Sequence, residues 1–204
     1  MKIIVFGANG RTGQELIKQA VDKGIEVTAF VRNAESIKLQ SEKLNIVVGQ
    51  ATNYEDVKKA IAGHDAVISC IGGAGIKVST IITDITKNVV DAMNETGVKR
   101  IVQVSSAGVH NELTGIMGKI SSIMLKNALK DHAGAYNRLK SGGVNYTLAR
   151  PMALTEDAYT GVYRETEVGI PTNARKISRA DVAHFLLKAL QDDNYIGKSV
   201  GLAY

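Results

Sequence analysis

Three glycines near the start of the chain have a spacing that suits phosphate binding. Gly7, Gly10 and Gly13 lie in the stretch FGANGRTG, between a β-branched run and a helical pattern. Gly7 lets the chain turn sharply, Gly10 lets backbone approach a pyrophosphate, and Gly13 lets the helix pack closely on the strand. Free N–H groups at the helix start would face the phosphates, and Asn9 and Thr12 can add hydrogen bonds. The stretch therefore predicts a dinucleotide-binding loop.

The end of the second predicted strand indicates which dinucleotide is bound. Sites for NAD usually offer a carboxylate about 20 residues past the loop. This chain has Arg32 there, 19 positions after Gly13, while Glu26 lies at the other end of the strand. A guanidinium matches a 2′-phosphate, and Arg11 in the loop can close over the same phosphate or over the adenine. We expect NADP(H) as the cofactor; the alternative is that Arg32 is a solvated residue at a strand end.

The composition is that of one globular domain that binds a small molecule. The 204 residues are 45% hydrophobic, include one cysteine and carry a formal charge of +5. They contain no apolar run of the roughly 20 residues that a membrane helix needs, and no signal-peptide pattern. The basic residues are scattered and not interleaved with aromatic ones, unlike a nucleic-acid platform. We therefore expect a cytoplasmic monomer or small homo-oligomer with neither membrane nor nucleic-acid partners.

Short β-branched runs alternate with helical patterns along most of the chain. A helix between the fourth and fifth strands should end near Gly97, and the last helix should begin at Ser178. The alternation predicts an α/β fold of Rossmann type, a doubly wound and mostly parallel sheet with helices on both faces. We expect a single domain over 1–204, with a dinucleotide-binding core in 1–150 and a small substrate-covering part in 151–204. The predicted strands are KIIVF, IEVTAFV, NIVV, DAVISC, RIVQVS and NYTLAR, with KSVGLAY as a further candidate.

Two long segments, residues 106–126 and 152–177, interrupt this alternation. Ligands bind at the carboxyl ends of the strands in such sheets, so both segments should lie over the site. A hairpin is possible around TGVYRETEV in the second segment. In the first segment, four apolar residues either cover a flat aromatic substrate or form a small core under a lid: Ile116, Met117, Ile123 and Met124.

Six stretches of the chain together carry a likeness to a known superfamily: IVFGANGRTG, VTAFVRN, VVGQATNYEDVKKAIAGHDAVISCIG, RIVQVSSAG, GGVNYTLARP and ISRADVAHFLL. They resemble the atypical, NmrA-like branch of the short-chain dehydrogenases/reductases, and most closely its biliverdin-IXβ reductase or flavin reductase family. The resemblance implies that the glycine loop holds the pyrophosphate and Arg32 the 2′-phosphate. It also implies other cofactor contacts: Gln50 and Ala51 at the adenine, Cys70, Ile71 and Gly72 along the ribose, Ser105 and Ser106 beside the nicotinamide, and Pro151.

Two positions depart from that family's pattern. Gln50 stands where the family more often has Asp, although an amide can still reach an adenine edge. Ala153 stands where the biliverdin reductase relatives have a histidine. The second departure weakens any transfer of tetrapyrrole specificity.

A catalytic acid is harder to find in the sequence. Tyr136 and Lys140 match the Tyr-x-x-x-Lys pair of many short-chain dehydrogenases, but only SGG separates Lys140 from the next strand, so we interpret the match as a coincidence. His132, one turn earlier, is a candidate proton relay, or else an exposed histidine beside Asp131. Ser106 is the best candidate for holding a substrate oxygen, or else caps its loop. The histidines lack metal-ligand spacing, and we expect no metal.

Such a small set of catalytic groups favours one kind of reaction. Hydride transfer to a flavin or quinone needs mainly proximity and stacking, and solvent can supply the proton. We therefore expect an NADPH-dependent reductase of a planar acceptor. A second hypothesis is a regulatory protein that senses NADP(H) without turnover. An epimerase or dehydratase is disfavoured, because that chemistry needs the tyrosine and a larger region after Pro151.

Overall fold

The computed structural model describes residues 1–72, 77–113 and 115–204, without the side chains of Ile116 and Met117. The strands are β1 (Lys2–Phe6), β2 (Glu26–Val31), β3 (Leu44–Val48), β4 (Ala66–Ser69), β5 (Arg100–Val104), β6 (Asn145–Pro151), β7 (Ala153–Thr155), β8 (Arg164–Thr166), β9 (Lys176–Ser178) and β10 (Lys198–Ala203). The α-helices are α1 (Arg11–Asp22), α2 (Tyr54–Ile61), α3 (Ile81–Thr96), α4 (Gly115–Met124), α5 (Lys126–Ser141) and α6 (Arg179–Gln191).

One sheet carries eight of the strands, in the order β3-β2-β1-β4-β5-β6-β10-β8. Neighbouring strands pair in parallel, except that β8 runs antiparallel to β10. The strand order reverses between β1 and β4, and a crevice for ligands opens at the carboxyl ends of the strands at such a point. The predicted doubly wound, Rossmann-type α/β fold is confirmed.

Apolar side chains cover both faces of this sheet. Leu16 of α1 and Phe185 of α6 belong to one core layer, whereas Val57 of α2, Met93 of α3 and Leu139 of α5 belong to the other. Because both faces are covered, the four residues of β1 that follow the exposed Lys2 are all buried, and they show no alternation of polar and apolar positions.

Two helix ends lie where the sequence predicts them. Gly97 ends α3 with φ of 80°, a left-handed conformation that glycine adopts without steric cost. Ser178 precedes α6, and its hydroxyl accepts the backbone N–H of Asp181 at 3.0 Å. Both predicted ends are confirmed.

The carboxylate of Asp181 anchors the segment that follows β7. It accepts the N–H groups of Thr160 at 3.1 Å and Gly161 at 2.8 Å, and the hydroxyls of Thr160 at 2.8 Å and Tyr204 at 2.6 Å. Desolvation acts to raise the pKa of this carboxyl, but these hydrogen bonds outweigh it and hold the pKa below its ordinary value. The ISRAD stretch therefore has a structural use beyond starting α6.

The predicted hairpin around TGVYRETEV is wrong. Strand β8 pairs with β10 at the edge of the large sheet, and β7 pairs in parallel with β9 in a separate two-stranded sheet. A strand of three residues is too short to show an alternation of apolar and polar side chains, so its pairing partner depends on the elements around it in the fold.

The segment 106–126 contains helix α4, which the sequence analysis does not predict. Ile123 and Met124 are 75% and 65% exposed, so these two residues do not form the small core that was one expectation. The same expectation for Ile116 and Met117 lies outside the described side chains. Within the described residues, no helix combines the length and the apolar character that crossing a membrane requires.

Candidate cofactor and substrate cavities

The glycine loop between β1 and α1 is built so that only glycine fits at two of its positions. Gly7 has φ of 74°, and a Cβ atom there would lie 2.7 Å from the carbonyl carbon of Cys70. A Cβ atom on Gly13 would lie 2.2 Å from the carbonyl oxygen of Gly7. Because glycine has no Cβ atom at these two positions, α1 can lie close to β1, and β1 can lie close to the end of β4.

The amino end of α1 is free to receive an anion. Gly10 precedes the helix, no side chain caps it, and its first turn contains no acidic residue. Uncapped N–H groups and the positive end of the helix dipole therefore point out of this turn, as a pyrophosphate requires.

A first cavity of about 350 Å³ lies at the carboxyl ends of β1, β2, β3 and β4. Nine of the residues expected to contact the cofactor line it: Gly7, Asn9, Gly10, Arg32, Gln50, Ala51, Cys70, Ile71 and Gly72. The concave shape and the space over Gly72, where a Cβ atom would meet none of the described residues within 4 Å, suit a bound nucleotide.

Arg32 supplies the charge of this first cavity. Its side chain is exposed, and among the described residues no carboxylate pairs with it and no hydrogen bond holds it. The described residues that line this cavity include neither Asp nor Glu. A free guanidinium without a competing carboxylate is the arrangement that a 2′-phosphate would neutralise.

The wall opposite the glycine loop is held by backbone hydrogen bonds. The N–H of Gln50 donates to the carboxylate of Asp56 at 2.9 Å, and the carbonyl of Ala51 accepts from the side-chain amide of Asn88 at 3.1 Å. These bonds fix the loop after β3 on α2 and α3.

Three loop residues expected at the cofactor lie outside the lining of the first cavity. Arg11 pairs with the carboxylate of Glu156 at 2.6 Å, and the same oxygen accepts Arg179 at 2.5 Å. Thr12 is buried, and Gly13 packs on the loop backbone. In this structure Glu156 holds the exposed guanidinium of Arg11 toward the chain after β7, and its contact with the 2′-phosphate or adenine stays a prediction.

Cys70 contributes shape and no reactivity to the first cavity. Desolvation raises the pKa of its thiol to about 12. The nucleophilic thiolate is therefore negligible at neutral pH.

A second cavity, of about 1130 Å³, lies at the carboxyl ends of β5 and β6. Ser105, Ser106 and Pro151, all expected near the cofactor or substrate, line it. One side is closed by residues of the first long segment: Glu112, Leu113, Gly118, Ser121 and Leu125. The other side is closed by residues 169–175 together with Arg179. The two long segments therefore form its walls, as the sequence analysis expects.

The two serines differ in how free their hydroxyls are. The Ser106 hydroxyl donates to the carbonyl of Ala107 at 3.1 Å, so its oxygen remains free only as an acceptor. The Ser105 hydroxyl is buried and has no hydrogen-bond partner in the described part of the chain. A buried orphan hydroxyl at a cavity wall is ready to bond a ligand.

His132 lies away from the lining of both cavities. It is 8% exposed, which rules out the exposed histidine that was one expectation, and its Nδ1 has no partner among the described residues. Burial lowers its pKa. The carboxylate of neighbouring Asp131 instead accepts the N–H groups of Ile82 at 3.1 Å and Thr83 at 2.9 Å, and so caps α3.

The Tyr-x-x-x-Lys match falls outside both cavity linings too. Tyr136 packs between the rings of His110, at 4.8 Å between centroids, and Tyr146, at 6.0 Å. Lys140 is exposed in the last turn of α5. Among the described residues, no group of His, Cys, Asp and Glu has the arrangement of a metal site.

Three charged residues of the second cavity escape the sequence analysis. Arg175 and Arg179 line it, and so does Glu112, which pairs with the buried Arg150. The only signal for the arginines is their place at or just after the end of segment 152–177, and the partner of Glu112 lies 38 residues away.

Residues 7–193 match the model of a protein family described as NAD(P)H-binding. The chain belongs to this family. Its cofactor is accordingly NAD(P)H, for which the uncapped α1 and the first cavity provide the fit. The expected family resemblance and cofactor are confirmed at this level.

Relatives and solved structures agree with this assignment. An uncharacterised chloroplastic protein of Arabidopsis thaliana is 32% identical over 93% of this chain and 71% of its own length. An NADP complex of a short-chain dehydrogenase/reductase from Veillonella parvula superposes with a TM-score of 0.85, at 20% identity over 100% of this chain and 94% of its own. An anaerobillin reductase from Escherichia coli O157:H7 gives 0.82, at 21% identity over 100% and 97%. At these identities the two structures establish the fold.

Proposed function

We propose that this protein is an NADPH-dependent reductase that transfers hydride to a planar acceptor such as a flavin or quinone. The observation that carries the proposal is the second cavity, whose volume of about 1130 Å³ lies at the strand ends beside which a nicotinamide would stand. That volume accepts a fused-ring system. The likeness to an anaerobillin reductase supports reduction as the type of chemistry.

The bound cofactor supplies the hydride, and the chain supplies position. The Ser105 hydroxyl would donate to an acceptor oxygen, the Ser106 oxygen would accept from the nicotinamide amide, and Pro151 and Met152 give an apolar wall. His132 lies outside this lining, so we assign the proton of the reduced acceptor to solvent and not to a fixed relay. Proximity and orientation then account for most of the rate.

Arg32 supports NADPH as the preferred donor, since it is the unpaired cation of a first cavity lined without carboxylates. Arg175 supports an acceptor that bears an anionic group, as FMN does. The side chain of Arg175 has no partner among the described residues, whereas Arg179 pairs with Glu156 and Glu112 is already neutralised by Arg150. The second cavity is therefore cationic on balance.

The test is NADPH oxidation with FMN, riboflavin, a small quinone and biliverdin, each supplied alone and corrected for background. We expect turnover, with FMN ahead of riboflavin because only FMN carries a phosphate. Arg175→Gln should raise the KM for FMN and leave the KM for riboflavin unchanged. Arg138→Gln, which removes an exposed charge on α5 outside both cavity linings, is the matched control.

An NADP(H)-sensing regulator is the second candidate. The packing of Tyr136 between two other rings is compatible with it, because a sensor needs no proton donor, and equally with the reductase, whose proton we assign to solvent. Tight binding of NADPH with no turnover of any of the four acceptors would support the sensor and contradict the reductase.

A further inference from the structure

Arg150, near the end of β6, has a charged side chain that is only 1% exposed and that bonds residues lining the second cavity. Its guanidinium donates to the hydroxyl of Ser199 at 2.9 Å and the carbonyl of Ser199 at 3.2 Å, to the carbonyls of Gly169 at 3.0 Å and Glu167 at 3.4 Å, and to the carboxylate of Glu112. One side chain thus joins β10 to both long segments.

Glu112 completes the link on its own segment. Its side chain is 6% exposed, and its second oxygen accepts the backbone N–H of His110 at 2.8 Å. Glu112 and Gly169, which belong to different long segments, both line the second cavity. Both walls are therefore fastened to the same guanidinium.

The ring of His110 continues the network. Its Nε2 lies 2.8 Å from the Ser199 hydroxyl, which already accepts from Arg150. This hydrogen bond ties the His110 ring to β10, whichever of the two groups donates. Tyr136 packs edge-on against this ring and holds it in place.

A gain in folding stability alone does not explain the buried ion pair of Arg150 and Glu112. Apolar residues of similar volume are often as stabilising as a buried ion pair, because two charges must be desolvated. An apolar side chain cannot, however, bond three separate segments at fixed angles, whereas the planar guanidinium does.

We propose that Arg150 and Glu112 are positioning residues that hold the two walls of the second cavity at the spacing the acceptor requires. The inference rests on the proposed reductase function where turnover is the readout. A second readout, cleavage of the two segments by trypsin at Lys119 and Arg175, does not depend on any acceptor.

The test compares Glu112→Gln, Arg150→Met and the double variant with the wild-type chain. Glu112→Gln leaves the buried guanidinium without its anion, and Arg150→Met leaves the buried carboxylate without its cation, so both single variants also lose stability. The double variant removes both charges and regains much of that stability. If the pair positions the walls, the double variant still shows an acceptor kcat/KM lowered about tenfold or more and faster trypsin cleavage.

The matched control is Arg100→Met. Arg100 lies at the opposite end of the neighbouring strand β5, and it also donates to carbonyls, those of Ile101, Asn145 and Ala189. This variant should lose stability with no change in acceptor kcat/KM. The affinity for NADPH, measured by titration, should stay within about twofold of wild type in every variant that folds.

A double variant with wild-type cleavage and wild-type kcat/KM would overturn the proposal and leave the pair a purely structural role. If the wild-type chain reduces no acceptor, the proposed function fails, and cleavage decides the positioning role separately. Faster cleavage in the double variant than in Arg100→Met supports it, and equal cleavage contradicts it.

Discussion

The proposed contact of Arg32 with the 2′-phosphate depends little on residues far away in the chain. Arg32 follows β2 directly, and the first cavity lacks a competing carboxylate. Arg32→Ala should weaken NADPH binding about 10- to 100-fold, since a hydrogen-bonded charge pair contributes roughly 1.5–3 kcal/mol. NADH binding should hardly change. Titration of the variant with both cofactors checks this, and an equal loss for both would refute the 2′-phosphate role.

Tyr136 gives a second prediction about one side chain. Its ring packs against His110 and Tyr146 in the region behind the second cavity. Tyr136→Phe keeps that packing, so acceptor turnover should stay within about threefold of wild type across pH, as expected when no proton donor has been removed. A collapse of kcat with normal NADPH binding would restore the tyrosine mechanism.

At this scale, local features are the predictable ones. The glycine loop and Arg32 can be read from one continuous stretch, because their function depends on strand, turn and helix in sequence order. Glu112 and Arg150 could not be paired in advance, because 38 residues separate them and only the finished sheet brings them together.

Among the secondary-structure elements, α6 has the most closely tied amino end. Asp181→Asn should lower the free energy of unfolding by about 1–3 kcal/mol, because an amide replaces a buried acceptor of several hydrogen bonds. Chemical denaturation measures the loss. Tyr204→Phe, which removes one of those bonds, should cost less, and an equal cost would contradict the assignment of the carboxylate as the centre of the network.

Helix ends with cap residues were predictable, and the shortest strands were not. Gly97 and Ser178 mark the ends of their helices through their own backbone and side-chain chemistry. By contrast, β7, β8 and β9 have three residues each, too few to show a period. Their pairing follows from the edges that the larger sheet leaves available.

For the molecule as a whole, the histidines predict how stability depends on pH. Burial lowers the pKa of all four, His64, His110, His132 and His184, below the ordinary value of 6.5. The unfolded chain therefore binds protons more readily, and stability is lost as the pH falls below about 6.5. Denaturation midpoints at pH 7.5, 6.5 and 5.5 should decrease in that order.

Paired carboxylates do not obscure this trend. The pKa values of Glu95, Asp157 and Asp181 lie below their ordinary values of 4.5, 3.8 and 3.8, so these groups stay ionised over the same range. A midpoint that stays constant or rises from pH 7.5 to 5.5 would contradict the prediction.

The position of β10 constrains the order in which the chain can fold during synthesis. This strand, residues 198–203, lies between β6 and β8 and supplies the sheet partner of β8. These residues must therefore leave the ribosome before β10 can pair with β6 and β8. Until then β6 presents an unpaired edge, which is open to pairing with another chain. Slow translation of the residues up to β10 would lengthen the time for which the edge of β6 is unpaired, and early binding of a chaperone would shorten it.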